Sequence, residues 1–143
     1  MDESSVKKAI LEFISRERLA VIATVSPEGN PHGAVLEFGQ TEELEIIFDT
    51  FERSRKYQNI INDPRVAFTI GWDKDITVQY EGMAHELSGD ELEQSKQFYF
   101  AKNPGAQKWE NVSGIRFFKV EPTWVRYSDL NVDPWEVFEV TFH

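Results

Sequence analysis

The sequence predicts a small, closed or nearly closed antiparallel β-barrel, mainly β with a few helices, and two observations carry that expectation. Six or seven short apolar and β-branched runs follow one another in mostly hairpin order, each bounded by turn-forming residues. Helical patterns are confined to the start, one crossover and one late insertion, so the strand–helix alternation that builds a parallel sheet is missing. Strands this short leave exposed edges unless the sheet closes on itself, which favours a barrel over an open sheet.

The elements follow in order. Val6, Ala9, Ile10, Phe13 and Ile14 fall on one helical face, with Ser4 or Ser5 as N-cap and Asp2 and Glu3 near the positive end of the dipole; this helix closes by Glu17. Leu19 to Val25 is a strand that stops at the turn cluster Ser26-Pro27-Glu28-Gly29-Asn30-Pro31. Strands from His32 to Phe38 and from Leu44 to Phe48 complete an expected meander. A polar connection from Asp49 to Lys56 feeds a short helix with Tyr57, Ile60 and Ile61 as its apolar residues, ended by Asn62-Asp63-Pro64. Arg65 to Ile70 and Ile76 to His85 are strands around a turn at residues 72–75, and Gly82 within the second marks a bulge or a close backbone approach. Ser88 and Glu91 have capping-box spacing and open a helix to about Ala101, broken by Asn103-Pro104-Gly105. Ile115 to Val120, Thr123 to Tyr127 and Trp135 to Phe142 are the last strands.

Composition narrows the function classes. At 143 residues the chain is expected to form one domain, residues 1–143, with a core that needs no staple. The absence of cysteine excludes thiol nucleophiles, disulfide frameworks, zinc ribbons and iron–sulfur clusters. A formal charge of −10 argues against a general nucleic-acid binder, because a polyanion needs a basic face, but it is compatible with a small anion bound locally. No apolar run approaches the ~20 residues needed to span a bilayer, and the acidic start has no signal-peptide character, so the cytoplasm is the expected compartment. His32, His85 and His143 are dispersed without ligand spacing, so no metal site is expected.

The most informative segment is Thr50 to Lys56. Three of the 15 basic residues, Arg53, Arg55 and Lys56, fall within four positions at the start of a helix capped by Ser54. Cations there oppose the macrodipole by ~0.3–1 kcal/mol each. Either these residues form a solvated turn that offsets an acidic surface, or a phosphate sits among the first-turn amides, the Ser54 hydroxyl and the two side chains of Arg55 and Lys56.

The stretch from Phe48 to Ile60, with its aromatic, Thr and Ser-Arg-Lys before a helix, resembles the phosphate segment of the pyridoxamine 5'-phosphate oxidase-like flavoproteins. The order of the flanking pieces is similar as well: a Leu-Ala-Val-Ile-Ala-Thr-Val strand, a Pro-x-Gly-x-Pro turn, a Gly-Ala-Val-Leu strand, Asp-Pro-Arg-Val-Ala after the helix, and Glu81-Gly82 ahead of Ala84. The resemblance spans about Val6 to Leu87 and points to the short, general-stress-protein-like branch. It implies a Greek-key, FMN-binding split barrel, commonly a homodimer with the flavin at the subunit interface. It further implies that Ser54, Arg55 and Lys56 contact the FMN phosphate, Asp49 and Thr50 the ribityl chain or ring edge, and His32, Gly33, Ala34 and Val35 the isoalloxazine through backbone groups. His32 has a simpler reading as a partner of the adjacent turn, and Thr77 or Gln79 would close the site from the side or else face solvent.

Two departures bear on activity. Glu37 stands where the oxidases carry Lys, and no Arg-Pro-x-x-Ser loop occurs between Ala101 and Glu110, which argues against pyridoxamine 5'-phosphate as substrate. The resemblance therefore implies a flavin-dependent oxidoreductase for an unassigned small molecule or electron acceptor. Rival readings are a non-catalytic flavin or haem carrier, a deazaflavin enzyme, and an interaction barrel without cofactor.

Overall fold

The computed structural model describes residues 1–143 and contains eight strands and three α-helices, with one 3-10 helical turn. They are α1 (Glu3–Ser15), β1 (Leu19–Val25), β2 (Pro31–Glu37), β3 (Gly39–Gln40), β4 (Ile46–Phe51), α2 (Arg55–Asn62), β5 (Arg65–Ile70), β6 (Ile76–Glu86), α3 (Gly89–Lys102), the 3-10 turn Pro104–Trp109, β7 (Ile115–Asp129) and β8 (Glu136–Thr141). No helix is long and apolar enough to cross a membrane.

All strand pairs are antiparallel, and the hydrogen-bonded order is β2-β1-β5-β6-β7-β4-β3, with β8 beside β7. The two ends of that order, β2 and β3, are separated in sequence by Phe38 alone. One kinked chain segment thus supplies both edges, and the sheet curls into a barrel.

The expected meander is not formed. β2 pairs only with β1, whereas β4 pairs with β3 and β7. Leu44, expected to begin the third strand, sits in a turn at φ 66, a conformation a strand cannot contain, so β4 starts two residues later. The two strands expected on either side of Pro122 are one 15-residue strand, β7. Its register with β6 shifts between Glu81 and Gly82, so that Thr123 has no direct partner and its hydroxyl donates to the Glu81 carbonyl at 3.1 Å. The bulge tolerates a mid-strand proline and bends β7. Its first half then pairs with β4 and its second half with β8. Gly82 fulfils the expectation of close approach: a Cβ there would lie 2.5 Å from the Glu121 carbonyl oxygen.

Inside the barrel, Ile22, Phe48, Phe68, Tyr80 and Phe118 are fully buried, with the rings of Phe48 and Phe118 stacked 5.4 Å apart. The Tyr80 hydroxyl donates to the Leu44 carbonyl at 2.7 Å, so the one polar atom of a deeply buried ring is satisfied. The stripe Val6, Ile10 and Ile14 brings α1 onto this core. Its cap is Asp2, which accepts from the Ser5 amide at 2.8 Å and leaves Ser4 and Ser5 inside the helix. A second cluster of Ile47, Leu87, Tyr99, Ala106 and Phe117 lies on the other face of β4 and β7, where α3 and the 3-10 turn cover it.

Candidate functional site

Strand β4 delivers adjacent residues to opposite faces of the sheet. Phe48 and Thr50 point with the barrel core, whereas Ile47 and Asp49 point toward α3. Thr50 therefore meets Ser54, hydroxyl to hydroxyl at 2.8 Å, at the start of α2. Ser54 is the N-cap as expected, accepting from the Tyr57 amide at 3.2 Å, and its own amide donates to the Phe51 carbonyl. Of the four amides that a helix start leaves without intrahelical acceptors, those of Arg55 and Lys56 are the two not spoken for.

These amides border a cleft of about 290 Å3 lined by Thr24, His32, Gly33, Ala34, Arg55 and Lys56. The far wall is β2, whose residues His32 and Ala34 stand opposite Thr24 and Ile22 of β1. Asn59, buried on α2, joins the two walls: its amide Nδ2 donates to Thr24 Oγ1 at 3.0 Å and to His32 Nδ1 at 2.9 Å. Thr24 and Asn59 were not singled out from the sequence; the only available signal was a polar residue beside Ile60 on a helix face that must be buried.

Eight of the 15 basic side chains pair with carboxylates; Arg53, Arg55 and Lys56 are among the seven that do not, and they are the ones that fall together at a helix start. Lys56 is half-buried, and desolvation lowers its pKa against the opposing pull of Asp49. An uncompensated cation held partly out of water at a helix N-terminus is costly until an anion joins it.

Lys56 also lines a second cleft of about 230 Å3 on the α3 side, with Val35, Glu37, Asp49, Phe51, Tyr99 and Trp109 among its walls. There Asp49 Oδ1 accepts from the Tyr99 hydroxyl at 3.0 Å, and Oδ2 is buried without a donor. Burial raises the Asp49 pKa, and nearby Glu37 raises it further. Burial, then the Asp49 charge, pushes the Tyr99 hydroxyl far up, so it stays protonated and donates to Asp49. Glu37 borders this cleft while pairing with Arg18 at 3.2 Å.

Eight of the ten expected site residues thus line two adjoining clefts that meet at Lys56, and Ser54 joins them through its hydroxyl contact with Thr50. Thr77 does not join them: it lies in β6 opposite Ser128, with its hydroxyl directed at the Ile70 carbonyl 3.5 Å away. Gln79 lies on the exposed outer face of the sheet, beside Ala67 and Trp124. That face also carries an apolar groove of about 480 Å3, whose lining includes Ala23, Val25, Ala67 and Met83 and which shares Thr24 with the first cleft.

The chain is similar in sequence and in fold to known proteins. A family model described as pyridoxamine 5'-phosphate oxidase matches residues 6–129. A pyridoxine/pyridoxamine 5'-phosphate oxidase of Bacteroides thetaiotaomicron is 27% identical over 100 residues, which cover 69% of this chain and 45% of that protein. The chain thus spans less than half the length of that relative. Among solved structures, a heme binding protein from Mycobacterium smegmatis superposes with a TM-score of 0.81 at 16% identity, over 99% of this chain and 59% of that one. A pyridoxamine 5'-phosphate oxidase-related, FMN binding protein from Nostoc punctiforme superposes with a TM-score of 0.67 at 16% identity, over 100% of this chain and 98% of that one. At these identities the structural likeness is one of fold.

Proposed function

The chain belongs to the pyridoxamine 5'-phosphate oxidase family, and from that membership we propose that it is an FMN-binding flavoprotein acting as a flavin-dependent oxidoreductase on a small molecule. The observation that carries this reading is the cleft at the start of α2. Two free amides, the half-buried Lys56 and the exposed Arg55 stand together there without a carboxylate partner. This donor set fits a phosphate dianion, which would accept from amides and cations at once and reverse the unfavourable dipole interaction. Thr50 and Ser54 would orient the phosphate end, and the β2 backbone from His32 to Val35 would border the ring, held in place by the Asn59 bridge.

When bound, FMN supplies the hydride chemistry. The chain's residues contribute binding, orientation and the charge around the ring. The Nostoc relative of nearly equal length is an FMN binding protein, which supports the same cofactor here.

The reading includes a homodimer. The apolar groove on the outer face exposes Met83 and adjoins the phosphate cleft at Thr24, and Val35 of β2 is 61% exposed. A second copy covering this surface would bury it and wall the flavin from that side, bringing Gln79 and Thr77 on the outer face of its β6 near a site that one protomer leaves open.

The test is a visible spectrum of the purified protein and of the stripped protein after addition of FMN. Flavin bands that move on binding support the reading. A Soret band in place of flavin bands would instead favour the haem carrier that the Mycobacterium relative suggests. Absence of any chromophore uptake would leave an interaction barrel.

A further inference from the structure

We infer that the second cleft, between β2 and the α3 segment, takes a flat aromatic molecule bearing a protonated amine, with Asp49 Oδ2 as acceptor for the amine. This deepens the proposed function by giving a substrate class, and it rests on that reading only for the place of the cleft beside the cofactor phosphate.

Three observations converge. First, Asp49 Oδ2 is buried and receives no hydrogen bond, while Oδ1 is already engaged by Tyr99. A carboxylate oxygen in this state is destabilising by about 1–3 kcal/mol or more until a donor arrives. Its place on the wall of an open cleft makes that donor a ligand group. Second, the cleft has aromatic walls: the rings of Phe51 and Trp109 meet edge to face at 6.1 Å, and Trp109 is 42% exposed. Flat apolar surface of a ligand would cover what water now touches. Third, the charge selects a cation. Glu37 and Asp49 both border the cleft. Lys56 is the one cation among the lining residues, and it also faces the phosphate cleft. Two carboxylates against one cation leave the second cleft anionic whether or not a phosphate engages Lys56, so a carboxylate or phosphate ligand is repelled and an ammonium is attracted.

A matched pair of probes tests this: tryptamine and indole-3-propionate, which share ring and chain length and differ in the sign of the terminal charge. Calorimetric titration of the full-length protein, with and without FMN, should give tryptamine at least a tenfold advantage. Asp49→Asn should weaken tryptamine binding at least tenfold. Glu37→Lys, on an edge strand where folding is not at stake, should reverse the preference. Equal affinities for the two probes, binding of neither, or a preference that survives both substitutions would overturn the inference. FMN uptake is read separately by absorbance on the same samples. Failure of the flavin reading therefore appears as lost absorbance with the amine preference intact, and failure of this inference as the reverse.

Discussion

Lys56 and Arg55 carry the strongest consequence at the scale of single residues. Each forms no ion pair in a chain with an excess of carboxylates, so each has its charge available for a phosphate. Replacing either by Ala should weaken FMN by about 1.5–3 kcal/mol, roughly 10- to 150-fold in Kd, while leaving riboflavin, which lacks the phosphate, little changed. Fluorescence titration with both ligands checks this, and an equal loss for both would move the basic pair away from the phosphate. Lys102 offers a different residue-level test. Its ammonium donates to the Ile14 carbonyl at 3.0 Å and to Gln40 Oε1 at 2.7 Å, above the Phe38 ring, without a carboxylate partner. Burial pushes its pKa down to about 7, against a weaker opposing pull from Glu17. An unfolded lysine titrates near ~10.4, so between about pH 7 and that value the unfolded chain binds more protons and stability rises with pH. Denaturant midpoints at about pH 7 and about pH 9.5 should show that rise, and Lys102→Met should flatten it. A slope unchanged in the variant would assign it to other groups. Residue identity alone did not separate Asp49 from Thr50, which read as one polar pair. Both border the second cleft, but strand parity turns Thr50 to Ser54 and Asp49 to Tyr99, and that parity becomes legible only once β4 is known to run through Phe51.

The two serine caps make a comparison at the scale of elements. Ser54 accepts from the Tyr57 amide, whereas Ser88, despite its capping-box spacing, makes no side-chain cap bond. The box fails because Glu91 turns to His85 and Lys119 instead. Ser54→Ala should therefore cost about 0.5–2 kcal/mol in the flavin-free protein, and Ser88→Ala within about 0.5 kcal/mol of nothing. Urea denaturation ranks them, and a larger loss at Ser88 would contradict the assignment of caps. The elements that were legible in advance are those set by local chemistry. β1 and β5 match their expected bounds because each is an apolar run between turn formers, and α2 starts at its cap and ends before Pro64. Pairings depending on distant partners were not legible. The meander failed because β4 finds β7, some 70 residues away, and Pro122 read as a break because nothing local announces the bulge at Gly82 that accommodates it. Ile61 was read as an apolar face of α2 but is 58% exposed, while Asn59 takes the buried place to bridge Thr24 and His32.

At the scale of the whole molecule, charge and surface act together. A body of −10 that holds one small basic cleft concentrates its attraction for anions at the start of α2 and repels them elsewhere. Bound FMN adds roughly −2 more, so phosphorylated substrates should compete poorly with neutral or cationic ones. The apolar outer face should make the protein sediment at twice its 16.6 kDa chain mass. Val35→Asp, placing a charge on that face, should shift it toward monomer and weaken FMN together. A monomer that retains full flavin affinity would separate the dimer from the site. The central claim, that the α2 cleft is a phosphate site for a flavin, is tested most directly by titrating the stripped protein with FMN and with riboflavin under identical conditions. The account predicts that FMN binds at least tenfold tighter and that the difference shrinks as salt is raised, because contacts to phosphate are charge-assisted and screened. Equal affinity for the two flavins, or uptake of neither, would contradict it.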